Sequence, residues 1–244
     1  MVKKLTLTAV LVLIFALFCT VFYGCGKKVP QTEPPYLSAQ TDQRAETPAP
    51  PVSDPDIVSP LATVDLMPVE DSSWKREYPV EVVVVHFCSN VVIDISNPYS
   101  LKAVRQTFTQ NEVSTNYIID RDGTIYCWVP EQRVAWHAGK GSFGEEKYEN
   151  SLNKYSIGIE LLAIGSKNDM KQYLTSRQYN SIPKHLIGYT DAQYEALSAL
   201  ISDIIERWDI PADRQHIIGH DEYNPNKSDP GELFDWERLM GKIQ

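Results

Sequence analysis

The sequence has little positive charge. Its 244 residues include 23 lysines and arginines against 32 aspartates and glutamates, which gives a formal net charge of −9 at pH 7. Proteins that bind nucleic acid regardless of its sequence use clusters of basic side chains to neutralise phosphates. We therefore expect no nucleic-acid partner for this acidic chain.

Long apolar runs and cysteines are also scarce. Apolar residues make up 43% of the chain, which is ordinary for a soluble globular protein and excludes a membrane protein with several spans. Of the 4 cysteines, only Cys88 and Cys127 lie beyond residue 25. An oxidising compartment would allow these two to form a disulfide, but we favour two small, buried apolar side chains.

The first 25 residues predict a targeting segment. Lys3 and Lys4 precede an uncharged, mostly apolar run over 5–23, which ends before Gly24 and Cys25. This pattern resembles a bacterial lipoprotein signal, in which Cys25 is lipidated and becomes the new N-terminus. The run also approaches the ~20 residues that span a bilayer, so an uncleaved membrane anchor is the alternative.

Both alternatives place the rest of the chain outside the cytoplasm, because the N-terminal lysines keep the first residues inside. We expect an extracytoplasmic, membrane-anchored protein on the periplasmic side. The residue after Cys25 is not aspartate, which favours an outer-membrane lipoprotein.

Proline divides the remaining chain into two parts. Nine of the 16 prolines lie between residues 26 and 72, where large apolar residues are few. Such a segment cannot bury enough apolar surface to fold, so we interpret 26–72 as a disordered, proline-rich linker. The signal or anchor then occupies 1–25, and 73–244 forms one domain.

The pattern of the domain is typical of an α/β fold. An Asp-Gly pair at Asp122 and Gly123 separates two β-rich runs, which predicts a hairpin. Thr190 begins a capping box ahead of a helical pattern that continues to Trp208. The apolar runs 80–85, 156–162 and 216–218 predict further strands. We expect a central mixed β-sheet flanked by helices.

Histidines are the first candidates for chemistry. His86 follows a buried strand, and open α/β sheets bind ligands beyond the carboxyl ends of their strands. His216 and His220 lie ~13 Å apart if they share a strand, whereas two nitrogens bound to one zinc ion lie within about 4 Å of each other. At most one of the two can be a ligand, and His220 is the better candidate because it begins a polar loop that ends near Gly231.

Glu160 is a carboxylate inside the apolar run 157–162. Burying an unpaired carboxylate is energetically costly. We therefore expect Glu160 to be paired, hydrogen-bonded or close to a metal ion.

Six motifs follow one another along the predicted domain. They are Val83-Val84-Val85-His86, Tyr117 to Tyr126, Ala135 to Gly139, Asn153 with Ser156 to Glu160, Ile218-Gly219-His220, and Lys227 to Gly231 before Phe234-Asp235-Trp236. In this order they resemble the zinc-dependent N-acetylmuramoyl-L-alanine amidase family, the amidase-2 group that shares its fold with peptidoglycan recognition proteins. The resemblance covers nearly the whole predicted domain.

The resemblance implies a role for each site residue. His86, His220 and Asp229 would bind Zn²⁺ and leave a fourth position for water. Glu160 would act as the general base, and Lys227 would stabilise the oxyanion.

The same resemblance implies a substrate. Trp136, His137 and Asn153 would contact peptidoglycan or a muropeptide, although His137 could instead support a zinc ligand from behind. The enzyme would be a monomer that cleaves between N-acetylmuramic acid and L-alanine. The alternatives are a non-catalytic recognition module of the same fold and, from another enzyme class, a thiol nucleophile at Cys88. The preference for intact or 1,6-anhydro substrates stays open.

The segment 164–189 is longer than the minimal connection expected between the Glu160 strand and the following helix. It contains aromatic and basic residues. It is either a flap over the substrate cleft or a surface loop without a role in the site.

Overall fold

The computed structural model describes residues 57–68 and 72–243. The predicted targeting segment with Cys25 and most of the predicted linker lie outside these residues. Within the described part, no helix combines the length and the apolar character needed to cross a membrane.

Eight strands in the described part of the chain form two sheets. They are β1 (Thr63–Val64), β2 (Ser73–Lys75), β3 (Val82–Cys88), β4 (Tyr117–Ile119), β5 (Ile125–Cys127), β6 (Arg133–Ala135), β7 (Ser156–Leu162) and β8 (Ile217–Gly219). The main sheet has the order β1-β5-β4-β7-β3-β8, and β2 pairs with β6. In the main sheet, β4 and β5 are antiparallel, which confirms the predicted hairpin, and the other neighbours are parallel.

Five α-helices accompany the sheets in the described residues. They are α1 (Leu101–Gln110), α2 (Ser176–Asn180), α3 (Asp191–Trp208), α4 (His220–Tyr223) and α5 (Trp236–Met240). The predicted capping box of α3 is present, because the side chains of Thr190 and Gln193 each accept a hydrogen bond from the other residue's backbone N–H. The architecture confirms the predicted α/β fold.

The two faces of the main sheet differ in character. On one face, Val85 of β3 and Ile159 of β7 belong to the apolar core that includes α3. Side chains alternate along a strand, so His86 and Glu160 lie on the opposite face. The strands are parallel with His86 directly opposite Glu160, which places a histidine beside the buried carboxylate.

The folded part begins earlier than predicted. Ser59 is buried and its N–H donates to the Tyr117 hydroxyl at 2.8 Å. Thr63 and Val64 pair with β5, and Met67 is buried in a side core. The predicted linker boundary at residue 72 is therefore too late, because isolated apolar residues among prolines gave no periodic signal.

The segment 164–189 is a packed layer. Its side chains Ile164, Met170, Leu174 and Ile182 form a small core with Val91, which follows β3. Cys88 and Cys127 are free thiols rather than a disulfide.

Candidate active site

Three predicted ligands meet on the face of the sheet opposite α3. His86 Nδ1 lies 2.8 Å from Asp229 Oδ2, and His220 Nδ1 lies 3.0 Å from the same oxygen. The two Nδ1 atoms are 3.1 Å apart. His216 contacts Asp213 instead, at 2.7 Å, so one member of the His216 and His220 pair reaches the site, as the spacing requires.

The topology explains this convergence. His86 lies near the carboxyl end of β3, and His220 begins α4 directly after β8. β3 and β8 are parallel neighbours, so their carboxyl ends adjoin. Asp229 returns on the following loop, where its carbonyl accepts from the N–H of Asp221 at 2.9 Å.

The chemistry of the three donors fits a divalent metal ion. Burial, followed by the nearby His220, lowers the pKa of His86 to about 4, so this ring is neutral at pH 7. Burial opposes ionisation of Asp229, but its contacts with His220 and His86 hold its pKa well below the usual range. Two imidazole nitrogens and a carboxylate oxygen are a donor set that zinc accepts.

The size of the cluster also fits zinc. Tetrahedral ligands at ~2.0–2.1 Å from the ion lie roughly 3.3 Å apart, whereas the three donor atoms here are separated by 2.8 to 3.1 Å. A small outward shift of each donor would accommodate the ion. Three protein ligands are the number found in catalytic zinc sites, so a bound ion would have a fourth position for water.

Glu160 is buried beside this cluster. Its side-chain oxygen Oε2 has no hydrogen-bond partner. Burial, and then the negative charge of Asp229, raise the pKa of Glu160 to about 8. A carboxylate that is buried beside another negative charge is a strong proton acceptor, which is the property required of a general base.

Lys227 brings a positive charge to the same place. Its charge lowers the pKa values of both His86 and Glu160. A cavity of about 360 Å³ opens beside Lys227 and is also lined by residues 168–169 and 171–172. The segment 164–189 therefore forms one wall of the cavity beside the site.

That segment also holds the loop that carries Asp229. The Asp169 carboxylate accepts from the N–H of Glu232 at 3.3 Å, and the Ser228 hydroxyl donates to the Asp169 carbonyl at 3.2 Å. The Tyr189 hydroxyl donates to the Pro230 carbonyl at 2.6 Å. The sequence analysis did not identify these contacts.

A partial signal for Asp169 was present in the sequence. Ser166 and Asp169 form a reciprocal capping pair, in which each side chain accepts from the other residue's backbone N–H. The S-x-x-D spacing is typical of such pairs. The spacing carries no information about the additional contact with Glu232.

The three predicted substrate contacts lie against other protein groups. The Trp136 ring packs on Trp74, with centroids 5.5 Å apart. His137 Nδ1 lies 3.0 Å from His86 Nε2, on the side of the ring away from Asp229. Asn153 Oδ1 accepts from the backbone N–H groups of His137 and the residue that follows it.

Cys88 has the wrong properties for a nucleophile. Burial, and then the neighbouring charge of Glu160, raise the pKa of its thiol well above the ordinary value. A catalytic cysteine needs a stabilised thiolate. The burial of Cys88 and the nearby carboxylate of Glu160 therefore argue against Cys88 as the nucleophile.

A family comparison agrees with this arrangement. The Amidase_2 family model, described as N-acetylmuramoyl-L-alanine amidase, matches residues 76–232. The chain belongs to this family. The matched range contains all three candidate ligands together with Glu160 and Lys227, and the predicted resemblance to the N-acetylmuramoyl-L-alanine amidase family is confirmed.

Curated amidases are similar over part of their length. The 1,6-anhydro-N-acetylmuramyl-L-alanine amidase AmpD of Citrobacter freundii is 37% identical over 133 residues, which are 54% of this chain and 57% of AmpD. The N-acetylmuramoyl-L-alanine amidase AmiD of Escherichia coli is 31% identical over 171 residues, 66% of this chain and 53% of AmiD. The chain thus spans little more than half the length of these relatives.

Solved structures share the amidase fold. A selenomethionine AmpD structure has a TM-score of 0.54 and 27% identity, and the match covers 76% of this chain and 96% of that chain. The Escherichia coli AmiD complex with anhydro-N-acetylmuramic acid-L-Ala-D-gamma-Glu-L-Lys has a TM-score of 0.50 and 30% identity, and the match covers 68% and 58%.

Proposed function

We propose that this amidase hydrolyses the amide bond between N-acetylmuramic acid and L-alanine in peptidoglycan or muropeptides, with Zn²⁺ as cofactor. The observation that carries the proposal is the convergence of His86, His220 and Asp229 beside the buried carboxylate of Glu160. The names of the relatives support the same reaction. A recognition module that does not cut its ligand would have no need for Glu160 and Lys227 beside a complete donor set.

In the proposed mechanism, His86, His220 and Asp229 hold the metal ion. Zinc, when bound, polarises the amide carbonyl and makes water more acidic. Glu160 accepts a proton from the attacking water as the carbon–oxygen bond forms. It then gives this proton to the amide nitrogen as the carbon–nitrogen bond breaks, which releases the stem peptide with a free amine.

Lys227 stabilises the charge that develops during this step. The attack converts the carbonyl oxygen into an oxyanion, and a fixed ammonium group lowers the energy of that state more than the energy of the bound substrate. Its influence on both His86 and Glu160 supports a position at the reaction centre.

Muropeptides with a 1,6-anhydro sugar are the substrates we propose first. AmpD is named for this sugar, and the AmiD complex contains an anhydro-muramyl tripeptide. Exposed residues such as Lys171 and Asn226 line the cavity beside Lys227. Soluble fragments and glycan strands are therefore compared as substrates.

The proposed reaction is tested by digesting purified anhydro-muropeptides and intact peptidoglycan and identifying the products by mass spectrometry. We expect free stem peptides, which disappear after chelation and return with zinc. Glu160→Gln should lower kcat by about 100- to 10,000-fold, the usual contribution of a general base. Wild-type activity in Glu160→Gln, or full activity without metal, would contradict the mechanism.

We also propose that the protein is an extracytoplasmic monomer, anchored to the outer membrane through a lipid on Cys25. The N-terminal pattern of lysines, apolar run and cysteine supports this location. Cys25→Ala should abolish labelling of the protein with a fatty-acid analogue and release the protein from the membrane fraction. Unchanged labelling would contradict lipidation at Cys25.

A further inference from the structure

One segment supports both ligand histidines from the side away from Asp229. His86 Nε2 lies 3.0 Å from His137 Nδ1, and His220 Nε2 lies 2.9 Å from the carbonyl oxygen of Ala138. The ring nitrogens that face Asp229 are the two Nδ1 atoms. Neighbouring residues of a single segment thus contact the outer nitrogens of both rings.

The hydrogen bond to Ala138 fixes the proton position on His220. A carbonyl oxygen only accepts, so His220 Nε2 must carry the hydrogen. Nδ1, which faces Asp229, is then the ring nitrogen that could offer its lone pair to a metal ion.

A hydroxyl group determines the proton position on His137. The Ser156 hydroxyl has one hydrogen and donates it to the carbonyl of Leu152 at 2.7 Å. Its contact with His137 Nε2 at 3.1 Å must therefore be one in which Ser156 accepts. His137 carries its hydrogen on Nε2, and its Nδ1 is an acceptor.

The same logic extends to His86. Because His137 Nδ1 accepts, His86 Nε2 must donate across their 3.0 Å contact. His86 then has its lone pair on Nδ1, which is 2.8 Å from Asp229 Oδ2. Each proton position follows from the one before it, beginning at the Leu152 carbonyl.

We propose that His137 and Ser156 are positioning residues that fix the tautomer of His86, so that its Nδ1 lone pair is presented to the metal ion. The inference rests on the metal centre of the proposed function, but it does not depend on the reaction. Of the two roles that the resemblance leaves open for His137, it selects support of a ligand over contact with the substrate.

The surroundings of His137 are built for this orientation. A side chain at Gly158 would place its Cβ 2.5 Å from His137 Cγ, so only glycine leaves room for the ring. Asn153 Oδ1 accepts from the N–H groups of His137 at 3.2 Å and Ala138 at 2.8 Å. The backbone that supports both ligands is therefore held by a single amide side chain.

The proposal is tested by the zinc affinity of the full chain, measured by competition with a chelating indicator. In His137→Asn, the amide oxygen can occupy the place of Nδ1 and still accept from His86. In His137→Gln, the amide lies one carbon farther out, near the place of Nε2. We expect the zinc affinity of His137→Asn to lie within about threefold of the wild-type value. The affinity of His137→Gln should be about 10- to 100-fold weaker, the range seen when a metal ligand loses its hydrogen-bond partner.

The order of these two variants separates positioning from packing. If His137 only fills space, the larger glutamine should be tolerated better than asparagine. Equal affinities, or tighter binding by His137→Gln than by His137→Asn, would overturn the proposal. His185→Gln, at an exposed position, is the matched control and should bind zinc as the wild type does.

A second pair of variants tests the hydroxyl. Ser156→Ala removes the acceptor for His137 Nε2 and should also weaken zinc binding by about 10-fold or more. Ser198→Ala removes another buried hydroxyl, on α3, and should leave affinity unchanged. If Ser156→Ala binds zinc like the wild type, the proposal is wrong, whereas a wild-type protein that binds no zinc would contradict the proposed metal centre itself.

Discussion

At the scale of the residue, the site depends on side chains whose surroundings deny them water. Glu160 is 7% exposed and its Oε2 atom has no hydrogen-bond partner. Leaving a buried polar atom unsatisfied costs about 1–3 kcal/mol, and more when the group is charged. The fold therefore tolerates the energetic cost of a buried carboxylate at the place where the proposed reaction needs a proton acceptor.

The electrostatic state of Glu160 predicts a pH effect on the metal-free protein. Its folded pKa is about 8 instead of the model-compound value of 4.5, so the folded state binds this proton more tightly than the unfolded state. The resulting stabilisation is present at low pH and is lost as the pH rises through the folded pKa. Relative to Glu160→Gln, the unfolding free energy of the wild type should fall by up to about 1.4 kcal/mol for each unit by which the pH rises.

The measurement is denaturant unfolding in the presence of a chelator between about pH 5 and about pH 8. Comparison with Glu160→Gln cancels the contributions of the histidines. Glu149→Gln, at an exposed position, should show no comparable slope. A difference between wild type and Glu160→Gln that does not change with pH would show that Glu160 is not buried as described.

The sequence predicted the candidate site residues more readily than the residues that support them. Glu160 stands out because a carboxylate in an apolar run requires an explanation, and His220 stands out against His216 by distance. The contact of His137 with His86 joins positions 51 residues apart, and no local pattern encodes it. Its orientation depends on packing over Gly158, which appears only in three dimensions.

At the scale of the element, β7 supplies three functions from one face. Ser156, Gly158 and Glu160 alternate with core residues, so all three side-chain positions point toward the site. Ser156 contacts His137, Gly158 makes room for its ring, and Glu160 faces His86 across the strand pair. The spacing of two residues is what allows a single strand to carry all three.

Gly158→Ala is expected to disturb the site from within this strand. The added methyl group would meet His137 Cγ at 2.5 Å and Nδ1 at 2.8 Å. We expect a loss of about 1–3 kcal/mol in unfolding free energy from overpacking, together with weaker zinc binding as the His137 ring moves. Thermal or denaturant unfolding and zinc competition measure the two effects.

Gly144→Ala is the control for this substitution. Gly144 has a positive φ of 59° and no atom within 4 Å of an added Cβ, so alanine there would strain the backbone without a clash. It should lower stability by about 1–2 kcal/mol and leave zinc affinity unchanged. Unaltered affinity in Gly158→Ala would show that the ring can move without consequence for the metal centre.

At the scale of the whole molecule, hydrophobic periodicity was sufficient to predict the α/β fold, β7 and the capped helix α3. The N-terminal boundary escaped prediction for a physical reason. β1 has only two residues, which is too short to show alternation, and Met67 is a single buried side chain among prolines. The family match from residue 76 does not include this stretch either.

The corrected boundary predicts a difference between two truncated proteins. A chain that begins at residue 73 lacks Met67 and the hydrogen bond from Ser59 to Tyr117, whereas one that begins at residue 57 keeps both. We expect the shorter protein to be less stable by at least about 3 kcal/mol, because removal of a buried methionine alone costs 2–5 kcal/mol. Urea unfolding of both proteins measures this, and equal midpoints would show that 57–68 contributes nothing.

The position of β1 has a mechanical consequence. β1 lies at one edge of the main sheet, and His86 lies on β3, four strands away, or about 19 Å at the usual strand spacing. Tension applied to the chain before residue 57 would act first on the hydrogen bonds of Ile57 and Ser59, and then on the two-residue pairing of β1 with β5. These contacts would break before the strands that carry the proposed metal ligands were loaded, so the protein could be pulled from its N-terminal side without distortion of the candidate site.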